Sequence, residues 1–169
     1  PQQKTVTITD DNPTPTVTLS VGTNSVNEDE GITTTLVTAT LNTVSSLPVT
    51  VNLKKSGAAK DGTDYTLDSV MIINAGVLSG EILFATVGDT LSEDNETVVI
   101  DIDTITHGSE KDNFQQQNIT ILDDDPMPTV ILSVNNLTVN ESAPGNATAV
   151  AATLNTVAGR DVVVTLVLS

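Results

Sequence analysis

The sequence contains no cysteine and no tryptophan, and aromatic residues make up only 2% of its 169 positions. Without cysteine there is no disulfide framework, no thiolate metal site and no cysteine nucleophile. The apolar runs are only a few residues long, so we expect no segment that spans a bilayer. Basic residues are also scarce: 6 lysines and arginines stand against 22 acids, for a formal charge of −16. A chain this acidic repels phosphates, so we expect no nucleic acid partner.

An internal repeat with a period of 113 residues organises the chain. Residues 14–56 and 127–169 are identical at 21 of 43 positions without a gap, and TVTITDDNP near the N-terminus returns as NITILDDDP. We therefore predict three parts. Residues 1–12 are the C-terminal strand of a preceding repeat, 13–125 are one complete domain, and 126–169 are the first three strands of a following, truncated repeat.

The complete unit alternates apolar and polar residues with the period of β-strands. This pattern predicts an all-β fold, an antiparallel β-sandwich of the immunoglobulin or fibronectin III type with about seven strands. The predicted strands A, B, C and D are Thr16–Val21, Thr33–Leu41, Val49–Lys54 and Tyr65–Asp68; a short edge strand at Val70–Ile73 follows, and E, F and G are Gly80–Thr86, Thr97–Ile105 and Phe114–Leu122. The three aromatic residues, Tyr65, Phe84 and Phe114, are expected to fill the core.

Most acids of the complete unit lie in connections that such a sandwich brings to one pole. Successive connections alternate between the two poles, so the A–B, C–D and E–F loops share a pole with the chain that leaves strand G. Twelve acids lie in these four segments: Glu28, Asp29, Glu30, Asp61, Asp64, Asp89, Glu93, Asp94, Glu96, Asp123, Asp124 and Asp125. The B–C, D–E and F–G loops hold only Glu110 and Asp112.

Such a concentration of carboxylates favours a metal site. Two carboxylates about 4 Å apart repel by roughly 4 kcal/mol at an effective dielectric near 20, and a bound cation offsets that repulsion. Calcium takes six to eight oxygen ligands in irregular geometry, whereas magnesium requires a stricter octahedron. Zinc is disfavoured because the chain has no cysteine and a single histidine, His107. The alternative is an acidic surface that only keeps the protein soluble.

Four motifs at this pole resemble the Calx-β domain family, and the resemblance spans the whole complete unit. They are Glu28 three residues before Gly31, Gly62–Tyr65 (GTDY), Gly88–Glu96 (GDTLSEDNE) and Leu122–Asp125 (LDDD). This family is best known from the regulatory loop of sodium–calcium exchangers and recurs in large bacterial surface proteins. The resemblance implies tandem repeats of a large surface or secreted protein, with calcium as the bound ion.

The resemblance also implies a set of calcium ligands. These are Glu28, Asp89, the backbone carbonyl of Leu91, Glu93, Glu96, Asp123, Asp124 and Asp125. Ser56 and Gly88 stand where the family carries acids, which implies fewer ions than in its fullest members, about two. Asp61 and Asp64 could substitute from the same pole, although Asp64 could instead fix its own turn. The flanking fragments repeat only parts of this set, through Asp10, Asp11 and Glu141, so we expect no complete cluster there.

We predict a calcium-binding structural repeat. It would be a calcium-stiffened spacer or adhesion module of a large multi-repeat protein, outside the cell or at its surface, with calcium ions and adjacent repeats as partners. One alternative is a regulatory calcium sensor of a membrane transporter. Another is an adhesive module that binds a cell-surface protein or glycan, with incidental calcium. We expect no enzymatic activity, since His107 lies at the pole away from the acids and nothing orients it for catalysis.

Overall fold

The computed structural model describes residues 1–9, 11–29, 31, 33–113, 115–140 and 147–167. Strands dominate these residues, and no α-helix occurs among them. Across the same ranges there is no helix with the length and apolarity that a membrane crossing requires. The all-β sandwich expected from the sequence is confirmed.

The described residues of the complete unit form ten strands in two five-stranded sheets. The strands are β1 (Thr16–Val21), β2 (Ser25–Asn27), β3 (Thr34–Leu41), β4 (Val49–Gly57), β5 (Tyr65–Leu67), β6 (Val70–Ile73), β7 (Ser79–Thr86), β8 (Glu96–Thr106), β9 (Ser109–Glu110) and β10 (Gln117–Leu122). One sheet has the order β5-β7-β3-β1-β9 and the other has the order β2-β10-β8-β4-β6. Two pairs, β1 with β9 and β10 with β2, are parallel, and the others are antiparallel. Predicted strands A to G correspond to β1, β3, β4, β5, β7, β8 and β10.

One hydrophobic core fills the space between the two sheets. It consists mainly of aliphatic residues at alternate strand positions, such as Val17 in β1, Val51 in β4 and Ile100 in β8, each 0% exposed. Full burial of such side chains contributes about 1.5–3 kcal/mol each, which offsets the shortage of aromatic residues. Tyr65 and Phe84 stack at the core with ring centroids 5.1 Å apart, as expected for core fillers. Phe114 lies outside the described residues.

The observed strands differ from the predicted ones mainly at their ends. Strand B begins at Thr34, C extends to Gly57, F runs from Glu96 to Thr106, and G begins at Gln117. Before G the chain instead forms β9 and one turn of 3₁₀ helix at Lys111–Asn113. Strands β2 and β9 were not predicted, because two or three residues are too few to show a period of two.

The residues that follow the complete unit reproduce its first hairpin. Strands β11 (Val130–Val134) and β12 (Val150–Leu154) pair with Val130 opposite Leu154, 113 positions beyond the pairing of Val17 with Leu41. The same side-chain contact closes both hairpins, since the Thr129 amide donates to Asn155 Oδ1 and the Thr16 amide donates to Asn42 Oδ1, each at 2.7 Å. Glu141 and Asp10 lie outside the described residues, and the domain boundaries drawn from the repeat remain a prediction.

Candidate metal centre

Glu28 is the most deeply buried of the acids that the structure describes at the acidic pole. It follows β2, whose parallel pairing with β10 carries the A–B loop to the end of that strand. The Glu28 amide donates a 2.9 Å hydrogen bond to the Leu122 carbonyl, which fixes the backbone there. Glu28 as a whole residue is 7% exposed, yet its carboxylate forms no hydrogen bond or ion pair with any described residue. An ionised group buried in this way is costly unless something compensates its charge.

The electrostatic surroundings of Glu28 show which loops converge on it. Its pKa is raised from 4.5 to about 7, first by burial and then by the negative charges of Asp89, Glu93, Asp123 and Asp64, in that order of effect. These four residues come from the E–F loop, the end of strand G and the C–D loop. The pole expected from alternating connections is therefore present in the structure.

The C–D loop contributes Asp64 through a tight turn. Gly62 adopts a positive φ of 85°, and the Lys60 amide donates a 2.6 Å hydrogen bond to Asp64 Oδ2. The Asp64 carboxyl also shares a hydrogen bond with the carboxyl of Glu96, which raises the pKa of Glu96 after the larger effect of burial. Asp64 thus fixes its own turn and also belongs to the acidic cluster. Asp61, the other proposed substitute, pairs with Lys55 instead.

The E–F loop carries Asp89, Leu91, Glu93 and Glu96. The Leu91 amide donates a 2.7 Å hydrogen bond to Asp89 Oδ1, which folds the loop back on itself. The pKa of Glu93 is raised by burial and then by Asp89, Asp64 and Asp123, while nearby Lys60 lowers it.

Gly88 begins the E–F loop and lies against the backbone of the A–B loop. A Cβ atom at this position would lie 2.2 Å from the carbonyl oxygens of both Glu28 and Asp29. The two carbonyls thus occupy the space that an acidic side chain would need, which gives a physical reason for the missing aspartate at position 88.

The three terminal aspartates are placed differently from one another. The Asp123 amide donates a 3.0 Å hydrogen bond to Asn95 Oδ1, and its own Oδ1 is buried without a hydrogen-bond partner in the described part of the chain. Asp125 is half-buried, with Oδ2 shielded from solvent. Asp124 is exposed, and no interaction with another described residue connects it to Glu28. The structure therefore groups Glu28 with Asp89, Glu93 and Asp123, links Glu96 through Asp64, and leaves Asp124 apart.

The acids converge without forming a closed coordination shell. Among the residues described, no three acidic or histidine side chains lie in an arrangement that would hold an ion as they stand. The predicted ligand set is neither supported nor contradicted by this arrangement, and it stays a prediction.

A contact from the segment after β12 reaches the E–F loop and was not predicted. Ala158 forms a parallel β-bridge with Ser92, and the Gly159 amide donates a 3.1 Å hydrogen bond to the Ser92 carbonyl. Arg160 pairs with Asp94, one residue beyond Glu93. The only sequence signal was Arg160 itself, one of 6 basic residues in an acidic chain. The loop that carries Glu93 is thus in direct contact with the chain that follows the complete unit.

Comparison with known proteins gives matches among solved structures only. No family model matches the sequence, and no curated protein matches it. The structure is similar to CBD12 from CALX1.2, with a TM-score of 0.51, 20% identity and 66% of this chain covered. It is also similar to the apo-form Calx CBD1 domain, with a TM-score of 0.50, 19% identity and 65% of this chain covered. A third similar structure is the calcium binding domain CBD12 of CALX1.1, with a TM-score of 0.51, 18% identity and 79% of this chain covered. The matches span 45%, 99% and 68% of those chains, respectively.

These similarities concern the arrangement of the strands. At such low identity they show the fold and do not by themselves transfer a ligand. The resemblance read from the sequence motifs and the structural similarity agree with each other. The chain has a Calx-β-like β-sandwich fold.

Proposed function

We propose that the complete unit is a calcium-binding structural module. The observation that carries the proposal is Glu28, a residue that is 7% exposed and whose carboxylate has no hydrogen bond or ion pair in the described structure and lies among other acids. A bound cation would supply the missing compensation for its charge. The calcium binding domain named among the similar structures supports the same ion.

The available donors fit calcium better than other common metals. Glu28, Asp89, Glu93 and Asp123 offer only carboxylate oxygens, which hard cations prefer. His107, the single histidine, lies at the other pole, where its Nδ1 is 2.9 Å from the Pro48 carbonyl. Zinc therefore lacks its usual nitrogen and sulfur ligands here. When calcium binds, it neutralises the cluster and draws the converging loops together.

The role that we propose for calcium is mechanical. Strand β10 ends at this pole, and the chain continues from it toward β11 after only a few residues. The E–F loop contacts that following segment through Ser92 and Asp94. Ordering the loop with calcium would therefore stiffen the connection between one unit and the next. A non-catalytic spacer or adhesion module of a multi-repeat protein at the cell surface or outside the cell is consistent with this role.

Thermal unfolding of the 169-residue chain with calcium and with a chelator tests the proposal. If the dissociation constant is one tenth of the free calcium concentration, calcium binding at one site adds about 1.4 kcal/mol to the free energy of unfolding. We expect a higher unfolding midpoint in calcium, with a smaller effect of magnesium at equal ionic strength. An unchanged midpoint, with no heat of binding in calorimetry, would contradict the proposal and leave the acids as a solvated surface.

A regulatory sensor is the second candidate, favoured by the same contact between the E–F loop and the residues after β12. A sensor changes the relative position of its neighbours when the ion binds, whereas a spacer keeps its shape and loses flexibility. Small-angle scattering with and without calcium separates the two. A change in the mean size of the molecule on calcium binding favours the sensor. An unchanged mean size with a narrower distribution of sizes favours the spacer.

A further inference from the structure

The segment after β12 contacts the E–F loop of the complete unit at a buried residue, Ser92. Ser92 is 1% exposed, although Asp94, two residues further along the same loop, is exposed. The backbone of Ser92 forms the parallel bridge with Ala158 and accepts the hydrogen bond from the Gly159 amide. We call residues 158–160 the docking loop, because they hold the E–F loop through its main chain.

The side chains at this contact also fit each other closely. A Cβ atom on Gly159 would lie 2.3 Å from Glu93 Oε1 and 2.4 Å from Glu93 Cγ. Non-bonded carbon atoms pack about 3.5–4.0 Å apart, so a larger residue at position 159 would displace Glu93 or open the contact. Arg160 supplies the positive charge that pairs with Asp94. The docking loop thus presents a glycine and a cation to two consecutive acids.

The internal repeat shows that the docking loop differs from its counterpart in the complete unit. Residues 39–44 and 152–157 both read ATLNTV. The two copies then diverge at four consecutive positions, since residues 45–48 read SSLP and residues 158–161 read AGRD. The first three of these positions are the docking loop. The sequence difference between the repeats therefore begins where the E–F loop is contacted.

The residues of the counterpart loop do not suit the same acidic partner. Ser46 stands 113 positions before Gly159, and a serine there would bring a Cβ atom and a hydroxyl into the space that Glu93 occupies. Leu47 stands 113 positions before Arg160, and a leucine has no charge to pair with an aspartate. Two copies of one loop thus have different surfaces at the same place in the fold.

We propose that the docking loop is selective for an acidic E–F loop, so that its sequence determines which unit can precede it. Gly159 leaves room for a long carboxylate side chain, and Arg160 selects an acid beside it. The loop at residues 45–47 lacks both features and does not accept an E–F loop of this kind. Neighbouring units are therefore matched in pairs, through a contact that favours one partner and a collision that rejects another. The selectivity does not rest on the proposed calcium site.

An engineered disulfide measures how fully the docking loop is docked, because the chain contains no cysteine of its own. Ser92→Cys with Ala158→Cys places a cysteine at each of the two bridged positions. Paired strands lie about 5 Å apart, a separation that a disulfide can span. The equilibrium constant of this disulfide against glutathione, measured in chelator, is then compared among variants that carry both cysteines.

The first comparison transfers the counterpart sequence into the docking loop. Gly159→Ser with Arg160→Leu should lower the equilibrium constant several-fold, because the collision is added and the ion pair is lost. Val163→Thr with Thr165→Asn is the matched control. It also introduces residues of the complete unit, at positions that have no hydrogen bond or ion pair to the E–F loop in the described structure, and should change nothing.

The second comparison tests whether Glu93 is the reason for the loss. Gly159→Ser alone should lower the equilibrium constant several-fold in the parent and much less in a Glu93→Ala background, where the added side chain has room. Three outcomes overturn the proposal: an unchanged constant after the transfer, an equal fall in the control, and a loss from Gly159→Ser that is the same with and without Glu93. Because calcium is absent throughout, none of them bears on the calcium proposal.

Discussion

The backbone amide of Glu28 donates a hydrogen bond to the carbonyl of Leu122, the residue that immediately precedes Asp123. This bond positions the buried acid through the main chain, and the Glu28 carboxylate adds no hydrogen bond or ion pair to another described residue. The charge of that side chain can therefore be changed while the main-chain hydrogen bond remains.

The first prediction concerns Glu28→Gln. Without calcium at pH 8, this variant should unfold at a higher temperature than the parent, because it removes a buried charge while the Leu122 hydrogen bond remains. We expect a gain of about 1–3 kcal/mol, reduced by the cost of burying an amide. The calcium-induced rise in the midpoint should shrink at the same time. A loss of stability in chelator would mean that the carboxylate has a compensating partner.

The pH dependence of the calcium-free protein follows from the same group. The pKa of Glu28 is about 7 in the folded state and 4.5 in the reference state, so folding favours its protonated form. The contribution of Glu28 to the free energy of unfolding is therefore fully present below pH 4.5 and is lost as the pH rises through about 7. At most this contribution is about 3 kcal/mol. Glu93 and Glu96, whose pKa values are also raised, act in the same direction.

Chemical denaturation at a series of pH values measures this loss. Calcium binds the deprotonated acids, so its stabilising effect should increase over the same pH range. A calcium-free stability that is level from pH 5 to pH 8 would contradict the assignment.

Asp64 and Asp61 form a matched pair for testing the C–D loop. Asp64→Asn disturbs the interactions of the Asp64 carboxyl with the Glu96 carboxyl and the Lys60 amide. Calcium affinity should therefore fall by about tenfold, or about 1.4 kcal/mol. Asp61→Asn removes the same formal charge but affects only the ion pair with Lys55, so affinity should change much less. Calorimetric titration of both variants measures the difference. Equal losses would show that only the net charge of the pole matters.

Arg160→Ala tests the contact between the E–F loop and the following segment. The exposed ion pair with Asp94 contributes at most about 1 kcal/mol, so global stability should hardly change. The amide of Gly159, which donates to Ser92, should exchange with solvent several-fold faster. Asp161→Ala alters the neighbouring exposed residue and serves as the control. Identical exchange in the parent and both variants would mean that the backbone bridge alone holds the contact.

Gly88→Ala tests the close approach between the A–B and E–F loops. The added methyl group would meet the Glu28 and Asp29 carbonyls, so we expect a loss of about 1–3 kcal/mol and weaker calcium binding. Gly31→Ala is the matched control, because no atom of the described residues, its chain neighbours aside, lies within 4 Å of its added Cβ. The free energy of unfolding of both variants decides the point. Equal effects at the two positions would contradict the packing argument.

The sequence predicted the sandwich because its long strands are half-buried and alternate with a period of two. The predicted bounds of β1 match the observed ones, and the predicted first residues of β3 and β7 each differ from the observed ones by one position. Strands β2 and β9 were missed because they depend on parallel partners distant in sequence, so their three and two residues carry no local signal.

The candidate site was predicted at the level of loops, since alternating connections determine which loops meet. The individual contacts were not predictable in the same way. The hydrogen bond between Asp64 and Glu96 depends on the exact reach of two turns, and the exposure of Asp124 depends on the path of the chain after β10.

The contact of Gly88 with the carbonyls of Glu28 and Asp29 also restricts how this site can change during evolution. Gly88→Asp would supply the acid that the resemblance to Calx-β domains leaves missing, but it would first collide with the A–B loop. A deletion or insertion that moves that loop would have to come before the new ligand or together with it. An acid at position 88 is thus separated from the present sequence by more than one mutational step.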